Sequence, residues 1–277
     1  MKQTASEECY GMILEAIAQK KWPVPFNLQE PWFPGQGERC IEVPWAFSRY
    51  NGQKKILEIG LCLADLSLIQ AQIRLKELTG CQFFGLDIVD INRVLNRFET
   101  LPQDIRSIYQ FKQADARQSG FPDNSFDLVF LISTLEHFGF DQFESLKEAD
   151  TVFKRTQDRP KSFPVYEQCR EDRKAVAEIR RILMPGGSLL LTVPMGGRGI
   201  CLLQDSKGLW AFYKEYTPQE WQGLLNDSGM RIIEQRFFRD AGDQGWVEEK
   251  DPAELVKHSG SLTDLVRGVA CVELKKV

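Results

Sequence analysis

Apolar and polar positions alternate along the chain in blocks that predict strands separated by helices. Buried strands are predicted at 55–60, 82–87, 109–114, 126–132, 188–193, 231–238 and 268–275. Helices are predicted between them at about 66–78, 90–98, 170–183 and 218–228. The stretch 126–132 is almost wholly apolar, as expected of a strand covered on both faces. Strands joined by helices of this length predict right-handed crossovers and a mostly parallel sheet with helices on both faces.

The N-terminal region stands outside this alternation. Residues 5–20 predict a helix, residues 22–37 form a proline- and glycine-rich stretch, and residues 44–50 predict a short helix. We therefore divide the chain into an N-terminal helical arm, residues 1–50, and a domain formed by residues 51–277.

Two polar stretches interrupt the domain, an insertion at about 139–169 and a segment at 239–266. Excursions of this length at the edge of a sheet are often lids or substrate loops. The insertion carries several basic residues, and a solvated surface explains them better than a phosphate site does.

Composition narrows the classes of partner. The chain has 277 residues, 43% of them hydrophobic and 27% charged, with a net charge of −4, which predicts no attraction to nucleic acid or to an anionic membrane. The seven cysteines are dispersed, which predicts reduced thiols and a cytoplasmic protein, and two histidines argue against a zinc site. No apolar run reaches the roughly 18 residues of a membrane span. The sequence leaves open whether the protein forms a homodimer.

The stretch 54–68 predicts a strand, a turn opened by Gly60 and the start of a helix. Ligands of parallel sheets bind at the carboxyl ends of the strands, so this turn is a candidate site. Three acids lie at or beside strand ends of the same edge, namely Glu58, Asp87 and Asp115. A carboxylate accepts both hydroxyls of a ribose, which suits Asp87, and Asp115 can accept from an adenine amino group. For any single acid a helix cap is the alternative interpretation.

The turn argues against a dinucleotide. A pyrophosphate requires several glycines and the N-terminus of a helix, whereas this turn holds one glycine and an acid, Asp65, that would repel phosphate. A nucleoside that carries positive charge fits better.

These segments together resemble the class I S-adenosylmethionine-dependent methyltransferases, most narrowly bacterial type 11-like methyltransferase domains. The resemblance runs over about residues 40 to 240, through the segments Ile-Leu-Glu-Ile-Gly at 56–60, Gly-Leu-Asp-Ile at 85–88, Ala-Asp-Ala at 114–116, Phe-Pro-Asp-Asn-Ser-Phe-Asp-Leu-Val at 121–129, Ser-Thr-Leu-Glu-His at 133–137 and Glu-Ile-Arg-Arg-Ile-Leu-Met-Pro-Gly-Gly at 178–187. It implies a Rossmann-like fold with a seven-stranded sheet whose last strand is an antiparallel insert. It also implies S-adenosyl-L-methionine as the cofactor.

The resemblance assigns parts of the cofactor to residues. The methionine part is expected at Gly60 and its neighbours and over Ser133 and Thr134, the ribose at Asp87, and the adenine at Asp115 and Ala116. The complete expected set is Glu58, Gly60, Leu61, Cys62, Asp87, Ile88, Asp115, Ala116, Ser133 and Thr134. The sequence departs from the family in its single-glycine turn and in its longer insertion.

A hydroxyl acceptor needs a base as it attacks, and His137, just past the fourth strand, is the candidate catalytic residue. A histidine that packs at a helix start is the alternative, and Glu136 is a second candidate. Arg198, Tyr213 and Tyr216 are candidates to line the acceptor pocket, and packing in the core or at its rim is the alternative for each.

The sequence thus predicts methyl transfer to oxygen or nitrogen of a small molecule or of a sugar or glycan. A non-catalytic binding or scaffold protein of the same fold stays open, whereas the missing phosphate motif argues against a nucleotide-dependent oxidoreductase.

Overall fold

The computed structural model describes residues 37–61, 66–92, 108–139, 142–143, 170–204, 210–259 and 266–277, together with residues 15 and 19. The predictions for the helices at 5–20 and 90–98, the proline-rich stretch and most of the insertion lie outside these residues.

One large sheet organises the fold. Its strands stand in the order β3-β2-β1-β4-β6-β11-β9-β10. They are β1 (Lys55–Ile59), β2 (Gln82–Asp87), β3 (Tyr109–Gln113), β4 (Phe126–Ile132), β6 (Leu183–Pro194), β9 (Arg231–Asp240), β10 (Trp246–Glu249) and β11 (Gly268–Lys275). The pairs β3-β2, β2-β1, β1-β4 and β4-β6 are parallel, and β11 is antiparallel to both β6 and β9. The mostly parallel sheet and its antiparallel insert are confirmed.

Helices cover both faces of this sheet, as predicted. They are α1 (Arg39–Phe47), α2 (Leu66–Thr79), α3 (Glu171–Ile182), α4 (Pro218–Asp227) and α5 (Ala253–Lys257). Side chains of α1 and α2 pack with one face of the strands in one core cluster, and side chains of α3 and α4 pack with the other face in a second. The strands β1 and β4 alternate between the two clusters, which is why β4 reads as continuously apolar.

The start of α4 shows how local sequence fixes an element. The Thr217 side chain accepts from the Glu220 backbone N–H, and the Glu220 carboxylate accepts from the Thr217 backbone N–H. This reciprocal pair satisfies two N–H groups that a helix start leaves open. Pro218 follows in the first turn, where its missing N–H costs nothing.

Three features differ from the prediction. The sheet has eight strands rather than seven, because residues 246–249 fold back on β9 as a hairpin strand. The short helix runs over Arg39–Phe47 rather than 44–50, with Pro44 inside it. A second sheet, β5-β8-β7, was not predicted. Its strands are β5 (Gln142–Phe143), β7 (Ile200–Gln204) and β8 (Trp210–Lys214).

This small sheet lies beyond the carboxyl end of β6, and β8 contacts the 3-10 turn Leu135–His137 that follows β4. The described cysteines Cys40, Cys81, Cys201 and Cys271 are free and buried. Among the helices of the described residues, none is long and apolar enough to cross a membrane.

Candidate functional site

The order of the strands places a crevice between β1 and β4. From β1 the chain proceeds to β2 and β3 on one side, and β4 then begins the other side of the sheet. A parallel sheet opens a ligand crevice at such a switch point, at the carboxyl ends of the two strands. Gly60 follows β1 there, and Ser133 and Thr134 follow β4.

Gly60 and Thr134 meet at this switch point. Gly60 has a φ of +87°, and a methyl group added to it would lie 2.6 Å from Thr134 Cγ2. Positive φ and this close approach together require glycine. The turn therefore needs only one glycine to bring its backbone to the end of β4.

The next residue of the turn is part of the core. Leu61 is fully buried, and its Cδ2 would lie 2.7 Å from a methyl group on Gly85 of β2. Gly85 is therefore small because Leu61 fills the space above it. Cys62, also expected at the cofactor, lies outside the described residues.

Glu58 points under α2 and is only 1% exposed. Gln72 Nε2 donates to Glu58 Oε2 at 2.5 Å, and the Tyr109 hydroxyl donates to Gln72 Oε1 at 2.5 Å. Burial raises the pKa of Glu58 to about 8, although the hydrogen bond from Gln72 opposes this rise. Glu58 therefore ties β1 to α2 as a neutral acid at neutral pH.

The end of β2 presents an acid and an apolar side chain side by side. Asp87 is half-buried, and its Oδ1 accepts from the Val89 backbone N–H at 2.9 Å. Ile88 is 68% exposed, which is unusual for a large aliphatic side chain. This pair offers a carboxylate for hydroxyl groups and an apolar surface for a flat ring.

Asp115 is held by a residue that the sequence analysis missed. Arg117 Nε lies 2.9 Å from each carboxylate oxygen of Asp115, and Arg117 also pairs with Glu171 at the start of α3. The hydrogen bonds from Arg117 lower the pKa of Asp115. An adenine amino group would therefore share this carboxylate with Arg117. Ala116 is buried in the core cluster on the α3 side of the sheet.

Ser133 is tied to α1. Its hydroxyl donates to Glu42 Oε1 at 2.5 Å, and its backbone N–H donates to Thr192 Oγ1 at 3.0 Å. Glu42 is fully buried and also accepts from Arg39 Nη1 at 3.0 Å. Nothing in the local sequence shows that α1 reaches the end of β4, so Glu42 could not be predicted.

His137 and Glu136 lie in the 3-10 turn that follows. The His137 side chain is 35% exposed, and its Nε2 lies 4.0 Å from Glu136 Oε1. The His137 ring lies 6.3 Å from the ring of Tyr213, centroid to centroid. Histidine, carboxylate and phenol are thus close together beside the switch point.

Of the three residues predicted at the acceptor pocket, two form a buried network. Arg198 Nε donates to Glu215 Oε1 at 2.8 Å, and Arg198 Nη2 donates to the Tyr213 hydroxyl at 3.1 Å. Burial raises the pKa of Tyr213, so this phenol stays neutral. Tyr216 instead lies in the core, where its hydroxyl donates to Asp172 Oδ2 at 3.1 Å.

A groove of about 500 Å³ lies at the opposite edge of the sheet, where β1 and β4 begin. Lys54, Asp127 and Lys275 line it. It holds none of the predicted site residues, and we favour the switch point because ligands of parallel sheets bind at the carboxyl ends.

Comparison with known proteins agrees with this geometry. A model of the methyltransferase domain matches residues 65–157, which include β2, β3, β4 and the 3-10 turn. Residues 65–157 thus carry a match to a methyltransferase domain. No curated protein matches the chain.

Solved structures share the fold at low identity. The [4+2]-cyclase SpnF is 14% identical, with 97% of this chain and 93% of that chain covered and a TM-score of 0.50. A methyltransferase from Methanosarcina mazei is 17% identical, with 82% and 94% covered and a TM-score of 0.48. The N-methyltransferase NodS from Bradyrhizobium japonicum, solved with S-adenosylhomocysteine, is 13% identical, with 97% and 98% covered and a TM-score of 0.43.

The residues at the switch point fit S-adenosylmethionine. Gly60 leaves no side chain between its backbone and the crevice. Asp87 and the exposed Ile88 suit a ribose and a flat base. The turn that follows Thr134 adds a second carboxyl group, that of the buried Glu136.

Proposed function

We propose that this methyltransferase transfers a methyl group to oxygen or nitrogen of a small molecule, or of a sugar or glycan, at the switch point between β1 and β4. The observation that carries the proposal is the contact of Gly60 with Thr134, because it joins the two strand ends directly before the turn of His137. Methyl transfer mainly requires two reactants to be held in line and shielded from water.

S-adenosylmethionine supplies a methyl carbon that its sulfonium already activates. The protein's task is to hold this cofactor, through Asp87 at the ribose, Asp115 and Ala116 near the base, and the backbone at Gly60 beside the methionine part. Arg117 orients the Asp115 carboxylate by hydrogen bonds from both Nε and Nη2.

His137 is the group that can take a proton from the acceptor. Its side chain is 35% exposed, and the neutral phenol of Tyr213 packs nearby. Tyr213 is fixed from behind by Arg198, whose charge Glu215 balances. The network of Arg198, Glu215 and Tyr213 beside His137 is therefore fixed in place and carries no net charge. Such a surface suits a neutral hydroxyl or amine acceptor.

Calorimetric titration with S-adenosylhomocysteine tests the cofactor site. Wild-type protein is expected to bind in the micromolar range, and Asp87→Ala is expected to lose binding. Incubation with S-adenosylmethionine and a panel of sugars and small amines and alcohols, with detection of S-adenosylhomocysteine, tests the transfer. A wild-type protein that binds no S-adenosylhomocysteine would contradict the proposal.

A non-catalytic role is the second candidate. It is favoured by one observation, the engagement of Asp115 with Arg117, which leaves less of that carboxylate for a cofactor. A fold alone does not determine a reaction, and the similarity to a protein described as a [4+2]-cyclase illustrates this. Consumption of S-adenosylmethionine with any acceptor would rule out the non-catalytic role.

A further inference from the structure

Glu136 is a buried carboxylate with one oxygen unsatisfied. Its side chain is 3% exposed, and its Oε2 has no hydrogen-bond partner within the described part of the chain. A buried carboxyl oxygen without a hydrogen-bond partner is unfavourable in either protonation state. Such an atom at a ligand crevice indicates a group that the protein receives from outside.

The neighbouring acid does not share this property. Both oxygens of Glu42 are satisfied, Oε1 by the Ser133 hydroxyl and Oε2 by Arg39 Nη1. Burial raises the pKa of Glu136 well above its usual range, Glu42 and Glu38 raise it further as like charges, and Arg39 opposes the rise. Without a ligand Glu136 is therefore held protonated, and a cation bound beside it would favour the ionised form.

The position of Glu136 points to the ligand crevice. It lies two residues beyond Thr134, which touches Gly60 across the switch point, and next to His137. The described residues contain no group of three or more histidine, cysteine, aspartate or glutamate side chains arranged to hold a metal ion. A primary ammonium group suits this site better, because it brings a positive charge and three donors in a small volume.

We propose that Glu136 receives a primary ammonium group at the switch point, an inference that rests on the proposed methyl-transfer function. Two molecules can bring that group, namely the cofactor through its amino-acid part, or the methyl acceptor through an amine. In both cases the ammonium donates to Glu136 Oε2, and its positive charge favours the ionised carboxylate, whose proton passes to solvent. The sequence analysis considered Glu136 only as a second base.

Calorimetry on Glu136→Gln distinguishes the two sources. If the ammonium belongs to the cofactor, the variant binds S-adenosylhomocysteine about 10- to 100-fold more weakly than wild type. The variant binds 5′-methylthioadenosine, which lacks the amino-acid part, with the same affinity as wild type does. Glu248→Gln, the same change at a carboxylate that pairs with Arg236 on the edge strand β10, is the matched control and leaves both affinities unchanged.

If the ammonium belongs to the acceptor, Glu136→Gln binds S-adenosylhomocysteine as wild type does. Methylammonium chloride titrated into protein saturated with S-adenosylhomocysteine then raises the melting temperature of wild type but not of the variant, relative to sodium chloride at the same concentration. The inference is overturned if wild type and Glu136→Gln bind S-adenosylhomocysteine with equal affinity and methylammonium shifts their melting temperatures equally. A wild type that binds no S-adenosylhomocysteine instead removes the proposed function itself.

Folding of the variant is checked without ligand. Because Glu136 Oε2 has no partner to lose, the melting temperature of Glu136→Gln is expected to equal or exceed that of wild type. Glu136→Met, an apolar side chain of similar length, is the second variant for the same titrations if glutamine does not fold.

Discussion

Glu58→Gln should remove a pH-dependent loss of folding free energy that the buried carboxyl group causes. Glu58 is 1% exposed and accepts a hydrogen bond from Gln72, whose own oxygen accepts from Tyr109. Burial is the largest influence on its pKa, which rises from 4.5 to about 8, while Gln72 and the more distant Arg39 oppose the rise. A neutral carboxyl and a carboxamide have nearly the same shape, so glutamine can keep the bond to Gln72.

The magnitude follows from proton linkage. Below pH 4.5 the carboxyl is protonated in both the folded and the unfolded protein, so it contributes no pH dependence. Between pH 4.5 and about 8 the unfolded chain releases the proton and the folded chain retains it. Stability therefore falls as pH rises, by about 1.4 kcal/mol per pH unit. At pH 7 the accumulated cost of Glu58 is about 3 kcal/mol, and the variant lacks it.

Urea unfolding at pH 5, 6, 7 and 8, followed by tryptophan fluorescence, measures this difference. The free energy of unfolding of Glu58→Gln should be close to that of wild type at pH 5 and exceed it increasingly toward pH 8. Glu77→Gln, at an exposed carboxylate on α2, is the control and should follow wild type at every pH. Parallel curves for wild type and Glu58→Gln would refute the reasoning, because Glu58 would then be ionised in the folded protein. Titration of the same variant with S-adenosylhomocysteine tests the predicted contact of Glu58 with the cofactor.

Three further changes test other parts of the structure. Gly60→Ala should reduce both the free energy of unfolding and the affinity for S-adenosylhomocysteine, because the new methyl group would lie 2.6 Å from Thr134 Cγ2. The control is Gly186→Ala, where φ is +78° but no atom lies within 4 Å of the new methyl group, so this variant has the backbone strain without the clash. Urea unfolding and calorimetry measure both variants. Asp87→Asn should keep the hydrogen bond that Oδ1 accepts from the Val89 backbone N–H, yet bind S-adenosylhomocysteine at least about 10-fold more weakly. Unchanged affinity would show that Asp87 does not bind the ribose. Thr217→Ala should lower the free energy of unfolding by about 1 kcal/mol without changing S-adenosylhomocysteine affinity, since it removes only a helix cap.

The sequence predicted well wherever the signal was local. The strands β2 and β4 have the predicted bounds, because apolar runs between turn residues mark strands covered on both faces. The start of α4 at Pro218 was predicted equally well. The three strands of the small sheet were missed because they pair across distant parts of the chain, and β10 was missed because its residues Glu248 and Glu249 make the segment look like a polar loop.

Site residues were predictable as positions but not as chemical states. Gly60, Thr134 and His137 were expected at one edge because parallel strands bring their carboxyl ends together, and the structure places Gly60 against Thr134. The partners that decide how each acid behaves come from elsewhere. Arg117 engages Asp115, and nothing in the residue order shows whether an arginine two positions on will fold back or point to solvent.

Three acids near the carboxyl edge show why this matters for function. Glu58, Glu42 and Glu136 are all buried, and composition alone treats them as equivalent. Burial raises the pKa of both Glu58 and Glu136, but Glu58 has a donor in Gln72. Glu42 has donors in Ser133 and Arg39, whereas Glu136 keeps an oxygen without a partner. A buried carboxyl oxygen needs a donor from the protein or from a ligand. Since protein donors serve Glu58 and Glu42, Glu136 is the acid where a ligand has the most binding energy to contribute.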